Sequence, residues 1–325
     1  MRLAGKVAIV AGATRGAGRG VAEALGEAGM TVICTGRGSR LAPTAAREGQ
    51  SPFVLTGRPE TIEETAERVT QRGGVGVAVV CDHDDPASVE ALAAKIQEEH
   101  GGLDLVVNSL WGGDQYVAWG QPFSEQPWAS VDALISGLKP HLLTAQRLLP
   151  LLAARAGGLI TLTDGSGLEY RGNVMYDLVK TTLCRLMFGL HEESRGAGSW
   201  TLAVTPGFLR SEAMLEHFGV TELTWRDAAD PNFAFSESPL FVGRCIAALA
   251  ADGQVGARSG GTWSSWELAR QYDVLDADGR RPDWGAHAAT LEIGSEQAAS
   301  HARFIAGFER ARLGDPPRGD GGEAA

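Results

Sequence analysis

The feature of this sequence that most restricts its fold is a regular alternation of short apolar runs and longer helical patterns. The apolar runs show no polar alternation and lie at Val7–Val10, Thr31–Thr35, Val75–Cys81, Leu103–Asn108, Leu159–Thr163 and Trp200–Thr205. Strands of this kind are buried on both faces. The helical patterns between them lie at Ala17–Ala28, Glu60–Gln71, Pro86–His100, Val131–Ala154, Val174–Ser194 and Pro239–Ala251. The alternation predicts an α/β fold of three layers: a doubly wound, mostly parallel sheet of about seven strands with helices on both faces.

The length of 325 residues fits one large α/β domain with extensions. We expect residues 1–290 to form this domain, with an irregular, aromatic-rich segment at about 208–238 acting as a lid. Residues 291–325 are expected to add a C-terminal helix and a disordered tail, because Gly314–Ala325 consists largely of glycine, proline and charged residues.

The composition limits the partners and the compartment. A net charge of -11 argues against nucleic acid and against an anionic membrane surface. The four cysteines are scattered in apolar runs without metal-ligand spacing, which predicts buried free thiols in a reducing compartment; they are Cys34, Cys81, Cys184 and Cys245. The histidines form no metal-ligand pattern, and we find neither a targeting segment nor an apolar stretch that could span a membrane. We therefore expect a cytoplasmic protein that binds a small molecule and no metal.

A glycine-rich turn follows the first predicted strand directly and opens the first predicted helix. Its glycines at 12, 16 and 18 have the spacing G-x-x-x-G-x-G. They let the backbone turn tightly and let a pyrophosphate approach the N–H groups of the helix N-terminus. A turn that needs glycine only for its shape is the alternative. We expect contacts to a dinucleotide from six residues of the turn: Gly12, Thr14, Arg15, Gly16, Ala17 and Gly18.

The end of the second predicted strand bears on which dinucleotide binds. An acidic residue at this place would bind the ribose hydroxyls of NAD, but the sequence has Gly36 followed by Arg37. Together with Arg15 in the glycine turn, Arg37 could hold a 2′-phosphate. The pattern favours NADP(H) over NAD(H), unless both arginines are only solvated surface groups.

Tyr176 and Lys180 lie four residues apart, on one face of a predicted helix. A nearby ammonium lowers the pKa of a phenol, which can then exchange a proton near neutral pH. The pattern Y-x-x-x-K is common by chance, but here it follows the fifth strand and lies downstream of the glycine turn. It predicts acid–base chemistry beside the bound dinucleotide.

In this order along the chain, these motifs resemble those of the short-chain dehydrogenase/reductase family, whose fold is Rossmann-like. The resemblance covers about residues 5–265 and includes Asp82 after the third strand, Asn108 at the end of the fourth and Pro206-Gly207 after the sixth. Within the family, Ser265–Tyr272 and Asp276–Arg280 resemble the subgroup typified by dehydrogenase/reductase SDR family member 1 and its actinobacterial relatives.

The resemblance implies carbonyl/alcohol redox chemistry with a nicotinamide cofactor. It implies that Tyr176 is the general acid/base and that Lys180 binds the nicotinamide ribose and tunes the phenol. It also implies that Asp82 holds the adenine, that Asn108 lies in the cofactor site, and that Pro206-Gly207 borders the nicotinamide.

The family serine, which orients the substrate carbonyl, is missing in its usual form. Thr163 has the family spacing to Tyr176 but falls in the predicted strand. Ser166 is flanked by glycines that give its backbone freedom, and we prefer it for this role. Asp164 is the third candidate: an ionised carboxylate can only accept a hydrogen bond, which suits a substrate hydroxyl better than a carbonyl. Alternatively, Asp164 only caps a turn.

Two further positions depart from the family. Trp111 lies in the segment Asn-Ser-Leu-Trp, where the family usually has N-N-A-G; it either narrows the substrate cleft or covers the edge of the sheet. Gly137 stands where the family has an asparagine whose carbonyl supports a water-mediated proton relay. A glycine still offers that carbonyl, and Pro140 gives a second cause for a helix kink.

Aromatic residues cluster in the predicted lid and in the loop after the fourth strand. This predicts an apolar small-molecule substrate, with contacts from Trp111, Phe208 and Met214. Packing within the lid or an oligomer contact is the alternative reading of the same residues, and we expect a homodimer or homotetramer.

The sequence therefore predicts an NADP(H)-dependent oxidoreductase that interconverts a carbonyl and an alcohol on an apolar small molecule. Two alternatives stay open. One is an NADP(H)-binding protein with little redox activity, and the other is an enzyme that uses the Tyr/Lys pair for dehydration or isomerisation.

Overall fold

Seven parallel strands form the centre of the fold. The structure, a computed structural model, describes residues 3–41, 51–194, 196 and 198–313. The strands are β1 (Val7–Ala11), β2 (Thr31–Gly36), β3 (Val75–Val80), β4 (Leu105–Asn108), β5 (Gly158–Leu162), β6 (Trp200–Thr205) and β7 (Thr262–Ser264). Their order across the sheet is β3-β2-β1-β4-β5-β6-β7, and each neighbouring pair is parallel. This confirms the predicted doubly wound parallel sheet.

Helices cover both faces of the sheet. They are α1 (Gly16–Glu27), α2 (Ile62–Gln71), α3 (Pro86–His100), α4 (Trp128–Ser136), α5 (Lys139–Ala153), α6 (Val174–Ser194), α7 (Glu212–His217), α8 (Pro239–Ala250), α9 (Ser265–Tyr272), α10 (Trp284–Ala288) and α11 (Glu292–Leu313). The last of these lies in the segment for which we predicted a C-terminal helix. The predicted disordered tail, Gly314–Ala325, lies outside the described residues.

Each face of the sheet has its own apolar core, because successive residues of a strand point to opposite faces. On one face, Ala8 and Val10 of β1 pack with α1, α2, α8 and α9. On the other face, Val7 and Ile9 pack with α3, α5 and α6. Because these strands are buried on both faces, their sequences are continuous apolar runs.

Two elements differ from the prediction. The single helix predicted over Val131–Ala154 is wrong: α4 ends at Ser136, and α5 begins at Lys139. Pro140 lies in the first turn of α5, where its missing N–H costs nothing, but it could not have continued a helix from upstream. The strand β7 has only three residues, too few to show a periodicity, and was not located from the sequence.

The centre of the sheet contains a topological switch point. The chain leaves β1 towards α1 on one face and leaves β4 towards α5 on the other, and the ends of the two strands, Ala11 and Asn108, are paired. Open α/β sheets bind their ligands in the crevice at such a point. The glycine turn and Asn108 therefore meet at the expected place.

The described residues offer neither a candidate membrane span nor a cluster of metal-ligating side chains. None of their helices is both long enough and apolar enough to cross a membrane. The same residues contain no group of three or more His, Cys, Asp or Glu side chains that could hold a metal ion.

Candidate active site

The glycine turn packs tightly against the loop that follows β4. Gly12 has a φ of +81°, and a Cβ at this residue would lie 2.4 Å from the carbonyl oxygen of Ser109. A Cβ on Gly18 would lie 2.1 Å from the carbonyl oxygen of Gly12. The packing of the turn itself therefore requires glycine at both positions. The N–H of Gly16, at the start of α1, donates to a carboxylate oxygen of Glu212 over 2.7 Å, so it points to a position that holds an anion.

Arg15 is the residue of the turn whose surroundings point most directly to an anionic ligand. Its Nη1 atom is buried and has no hydrogen-bond partner among the described residues. Burial lowers the pKa of the Arg15 guanidinium, while the nearby carboxylate of Glu60 opposes this. Buried nitrogen donors normally have a partner, and a phosphate oxygen would supply the missing acceptor. The other predicted turn residues lie beside it: Thr14 is buried, and Ala17 is half-buried.

Arg37 is exposed directly after β2. It forms no hydrogen bond or ion pair with another residue of the described chain. Arg40, three residues further on, is held by both carboxylate oxygens of Glu67. The carboxylates that contact the described part of this region are engaged as well: Glu60 by Arg58 at 2.7 Å, and Glu63 by the hydroxyl of Ser39 and the N–H of Arg40. Within the described residues, the end of β2 thus presents a guanidinium without an ion pair and no acid that lacks a partner, which fits an additional phosphate on the adenosine ribose.

Asp82 follows β3 and Asn108 ends β4, as predicted. Asp82 accepts a hydrogen bond from the backbone N–H two residues further on, at 3.1 Å. Asn108 is fully buried, and its Nδ2 donates to the carbonyl of His141 on α5 at 3.5 Å. The His141 ring in turn contacts the carbonyl of Leu110 at 2.7 Å and the hydroxyl of Thr161 at 3.0 Å. This network fixes the loop after β4 relative to α5 and β5.

Tyr176 and Lys180 lie one turn apart on α6, beside the switch point. Asn173 starts this helix: its Oδ1 accepts from the N–H of Tyr176 at 3.1 Å. Its Nδ2 donates to the carbonyl of Ala118 at 3.2 Å, which joins the helix to the loop after β4. Sequence reasoning did not single out Asn173, although an asparagine before an amphipathic helix is a known N-cap signal.

The hydroxyl of Tyr176 donates to Oδ2 of Asp164 over 2.9 Å. Asp164 is held in place by Arg171, which donates both to its carbonyl and, at 2.7 Å, to the carboxylate of Asp177 on α6. Arg171 is buried, with 7% of its surface exposed. No sequence pattern indicates this role, because a single arginine in a loop cannot be distinguished from a solvated one. The arginine thus fixes the backbone of Asp164, whose carboxylate accepts from the phenol.

The electrostatics of the pair differ from the prediction. Burial and the negative charge of Asp164 raise the pKa of Tyr176 well above its ordinary value. The expectation that Lys180 lowers this pKa is therefore wrong for this arrangement. Burial also lowers the pKa of Lys180, against the opposing effects of Asp114 and Asp164. The Nζ atom of Lys180 lies over the indole of Trp111, 3.7 Å from the ring centroid.

The other two candidates for the family serine lie elsewhere. Thr163 is buried directly after β5, and its hydroxyl donates to the backbone carbonyl of Lys180 over 2.8 Å. Ser166 is exposed, and its hydroxyl has no hydrogen bond within the described part of the chain. Gly165 has a φ of +74°, and the loop turns outward there. The structure therefore brings Asp164 to Tyr176 rather than the preferred Ser166, because the flanking glycine directs Ser166 to the surface.

Two tryptophans flank the phenol ring of Tyr176. The rings of Trp111 and Trp119 meet it edge-on, with centroid distances of 5.6 Å and 5.2 Å. The indole N–H of Trp111 donates to Asp114 at 2.7 Å, and a Cβ on Gly113 would lie only 2.4 Å from the indole. Of the two readings of Trp111, the structure supports contact with the site, and it adds Trp119 as a second aromatic wall.

The turn formed by Pro206-Gly207 rests on a buried carboxyl group that sequence reasoning missed. The N–H of Gly207 donates to Oε2 of Glu237 at 2.9 Å, and the hydroxyl of Ser265 donates to the same oxygen at 2.6 Å. Burial raises the pKa of Glu237 to about 8. This side chain therefore fixes the turn that borders the predicted nicotinamide position.

The lid is partly packed upon itself. Phe233 and Trp225 are buried, with 2% and 3% of their surfaces exposed. Phe208 contacts the ring of Phe233 at 5.1 Å between centroids and stacks on Trp284 of α10 at 5.6 Å. These aromatic residues therefore belong in part to the internal packing of the lid, which was the alternative reading. Met214 lies half-buried on α7.

Comparison with known proteins supports the resemblance drawn from the motifs. The family model described as enoyl-(acyl carrier protein) reductase matches residues 36–257. Dehydrogenase/reductase SDR family member 1 of Mus musculus is 32% identical over 287 residues, covering 85% of this chain and 84% of that protein. Oxidoreductase UcpA of Escherichia coli K12 is 28% identical over 265 residues, covering 77% and 89%.

Solved structures share the fold. A short-chain dehydrogenase of Mycobacterium thermoresistibile superposes with a TM-score of 0.66 at 21% identity, covering 87% of this chain and 95% of that one. A short-chain type dehydrogenase/reductase of Mycobacterium marinum has a TM-score of 0.60 at 20% identity, covering 81% and 94%. With the motifs in family order and the relatives covering most of its length, the chain belongs to the short-chain dehydrogenase/reductase family of oxidoreductases.

Proposed function

We propose that the protein is an NADP(H)-dependent oxidoreductase that interconverts a carbonyl and an alcohol on an apolar small molecule. The observation that carries this proposal is the Tyr176 hydroxyl, hydrogen bonded to Asp164 at 2.9 Å and lying beside the switch point of the sheet. Such a group can exchange a proton with a substrate oxygen next to a bound dinucleotide.

The cofactor site comprises the glycine turn, Arg15, Arg37 and the Pro206-Gly207 turn. A nicotinamide cofactor held there supplies or accepts the hydride. The unpartnered Nη1 of Arg15 and the unpaired guanidinium of Arg37 support a cofactor with a 2′-phosphate. Lys180 is buried next to Tyr176, and we assign it to the nicotinamide ribose.

The proton route uses two residues. Tyr176 retains its proton in this arrangement, so we assign it as the donor to the carbonyl oxygen during reduction. In the oxidation direction, the alcohol proton passes to Tyr176 as the phenolic proton passes to Asp164, so the phenol need not ionise beforehand. Asp164 is half-buried and can then release the proton to solvent.

The substrate proposal rests on the walls around the phenol. Trp111 and Trp119 both meet the Tyr176 ring edge-on, and this favours an apolar substrate over a strongly charged one. The aromatic residues buried inside the lid pack against one another and are not assigned to the substrate.

Cofactor preference has a direct test. Arg37→Ala should weaken NADPH binding by about tenfold or more and leave NADH binding nearly unchanged, since a charge-assisted phosphate contact is lost. Arg40→Ala is the matched control, because its guanidinium is already held by Glu67. Equal affinities of the unmodified protein for NADPH and NADH, measured by nicotinamide fluorescence, would contradict the NADP(H) assignment.

The two alternative functions give different results in one assay. The protein is incubated with NADPH and a panel of apolar ketones and aldehydes, and both cofactor and organic product are followed. Oxidation of NADPH with formation of the alcohol supports the proposal. Binding of NADPH without turnover indicates a binding protein, and a dehydrated or isomerised product without net cofactor change indicates the third function.

A further inference from the structure

We propose that Glu212 weakens cofactor binding, because its carboxylate occupies the backbone N–H of Gly16 that the cofactor's pyrophosphate needs. Cofactor binding then requires the first turn of α7 to move away from the glycine turn. This inference rests on the proposed function, since it assigns the glycine turn to a dinucleotide.

The contact joins the lid directly to the phosphate-binding turn. Oε2 of Glu212 accepts from the N–H of Gly16 at 2.7 Å, and Oε1 lies 3.5 Å from Nη1 of Arg19. Gly16 is the first residue of α1, so its N–H has no acceptor within the helix. Ser211 is also close: a Cβ on Gly16 would lie 3.7 Å from the Cβ of Ser211. The start of α7 therefore lies directly over the turn.

The far end of α7 is attached to a different segment. Glu216 forms an ion pair with Arg58 at 3.1 Å, and the ring of His217 lies 5.4 Å from that of Phe53. The helix thus connects the glycine turn with the segment that follows β2. Arg15, with its unpartnered Nη1, lies in the same neighbourhood, since both Glu60 and Glu212 act on its pKa.

A carboxylate and a pyrophosphate cannot share this N–H. Both are anions that accept at the same position, so their mutual repulsion adds to the steric conflict. Only molecules in which Glu212 has left the N–H of Gly16 can bind the cofactor. The apparent affinity therefore falls as the fraction of molecules with Glu212 in place rises. Arg19 does not depend on Glu212, because it also bonds Glu64 at 2.9 Å and the carbonyl of Thr14 at 2.8 Å. Removal of the Glu212 charge should therefore weaken the contact between α7 and the glycine turn and leave the structure of α1 unchanged.

The test compares Glu212→Gln with Glu216→Gln. Both variants remove one negative charge from α7, but only the first changes the group at Gly16. We expect Glu212→Gln to bind NADPH at least about fivefold more tightly than the unmodified protein, and Glu216→Gln to stay within about twofold. Inorganic pyrophosphate, titrated by calorimetry, should show the same order, and hydrogen exchange in residues 212–218 of the unmodified protein should speed up when it binds.

Three results would overturn the proposal. They are an unchanged or weaker affinity in Glu212→Gln, an equal gain in Glu216→Gln, and exchange in residues 212–218 that stays constant when pyrophosphate or NADPH binds. If no nicotinamide cofactor binds but pyrophosphate still binds more tightly to Glu212→Gln, the role of Glu212 is supported and the proposed function fails.

Discussion

At the scale of single residues, the chemistry of this site depends on which side chain faces Tyr176. A serine at that place would donate a hydrogen bond to a carbonyl oxygen. The structure has the carboxylate of Asp164 instead, which accepts from the phenol and raises its pKa. A phenol with a raised pKa is protonated at neutral pH and has a proton to give during reduction, although it is a weaker acid than a free phenol; oxidation needs a second group to receive its proton. Asp164 is placed to be that group.

The role of Asp164 can be measured with Asp164→Asn. Asparagine keeps the size and can still contact the phenol, but it cannot take up its proton at neutral pH. We expect alcohol oxidation to fall by roughly 10²-fold or more, with NADP(H) affinity within about twofold of the unmodified protein.

Asp177→Asn is the matched control for that experiment. Asp177 also bonds Arg171, but the structure records no contact between its side chain and Tyr176. An Asp164→Asn enzyme that keeps full oxidation activity would remove Asp164 from the proton route.

At the scale of elements, the lid is attached to the rest of the molecule through a buried carboxyl group, whose charged form is unfavourable in the protein interior. Glu237 lies at the base of the lid and is fully buried. One of its oxygens holds both the Gly207 turn and Ser265 at the start of α9, while Oε1 has no partner among the described residues. Such a carboxyl group favours the protonated form, so the attachment of the lid should depend on pH.

This dependence predicts the pH profile of stability. Folding raises the pKa of Glu237 from 4.5 to about 8, so the folded state binds this proton more tightly. Its contribution is fully present below the unfolded pKa and is lost as pH rises through the folded value. The free energy of unfolding should therefore fall, relative to Glu237→Gln, by roughly 2–4 kcal/mol between pH 5 and pH 8.5.

The comparison with Glu237→Gln isolates this group. The buried His83 and His141, whose pKa values are lowered to about 4, act in the opposite sense on the acid side and are present in both proteins. Urea denaturation at a series of pH values gives the difference directly. Parallel curves for the two proteins across this range would show that Glu237 does not titrate as described.

At the scale of the whole molecule, the doubly wound parallel sheet could be predicted from the sequence, because buried parallel strands and amphipathic helices have strong, distinct patterns. The positions of the glycine turn, Tyr176 and Lys180 could also be predicted. The turn lies at the end of a strand, and the other two residues lie on one face of a helix. A kink near Gly137 and Pro140 was expected, but the complete break between α4 and α5 was not, because the apolar pattern runs across it. β7 was not predicted either, because its three residues carry no period.

The details of the site depended on contacts between distant segments. Whether Thr163, Asp164 or Ser166 faces Tyr176 is decided by Arg171, which fixes the Asp164 loop, and by the outward turn at Gly165. The bond between Glu212 and Gly16 joins residues 196 positions apart. No local pattern in the sequence contains such information, since it arises only when the lid folds over the sheet.

The role of Tyr176 as the proton donor is decided by the reductase activity of Tyr176→Phe, measured with NADPH saturating and a carbonyl compound that the unmodified protein reduces. The substitution keeps the ring between Trp111 and Trp119 but removes the exchangeable proton. Tyr170→Phe, which removes the same hydroxyl from an exposed tyrosine, is the control. We expect a loss of about 10²–10⁴-fold in turnover for Tyr176→Phe, unchanged NADPH affinity, and no loss for the control. Turnover of Tyr176→Phe close to that of the unmodified protein would contradict this role.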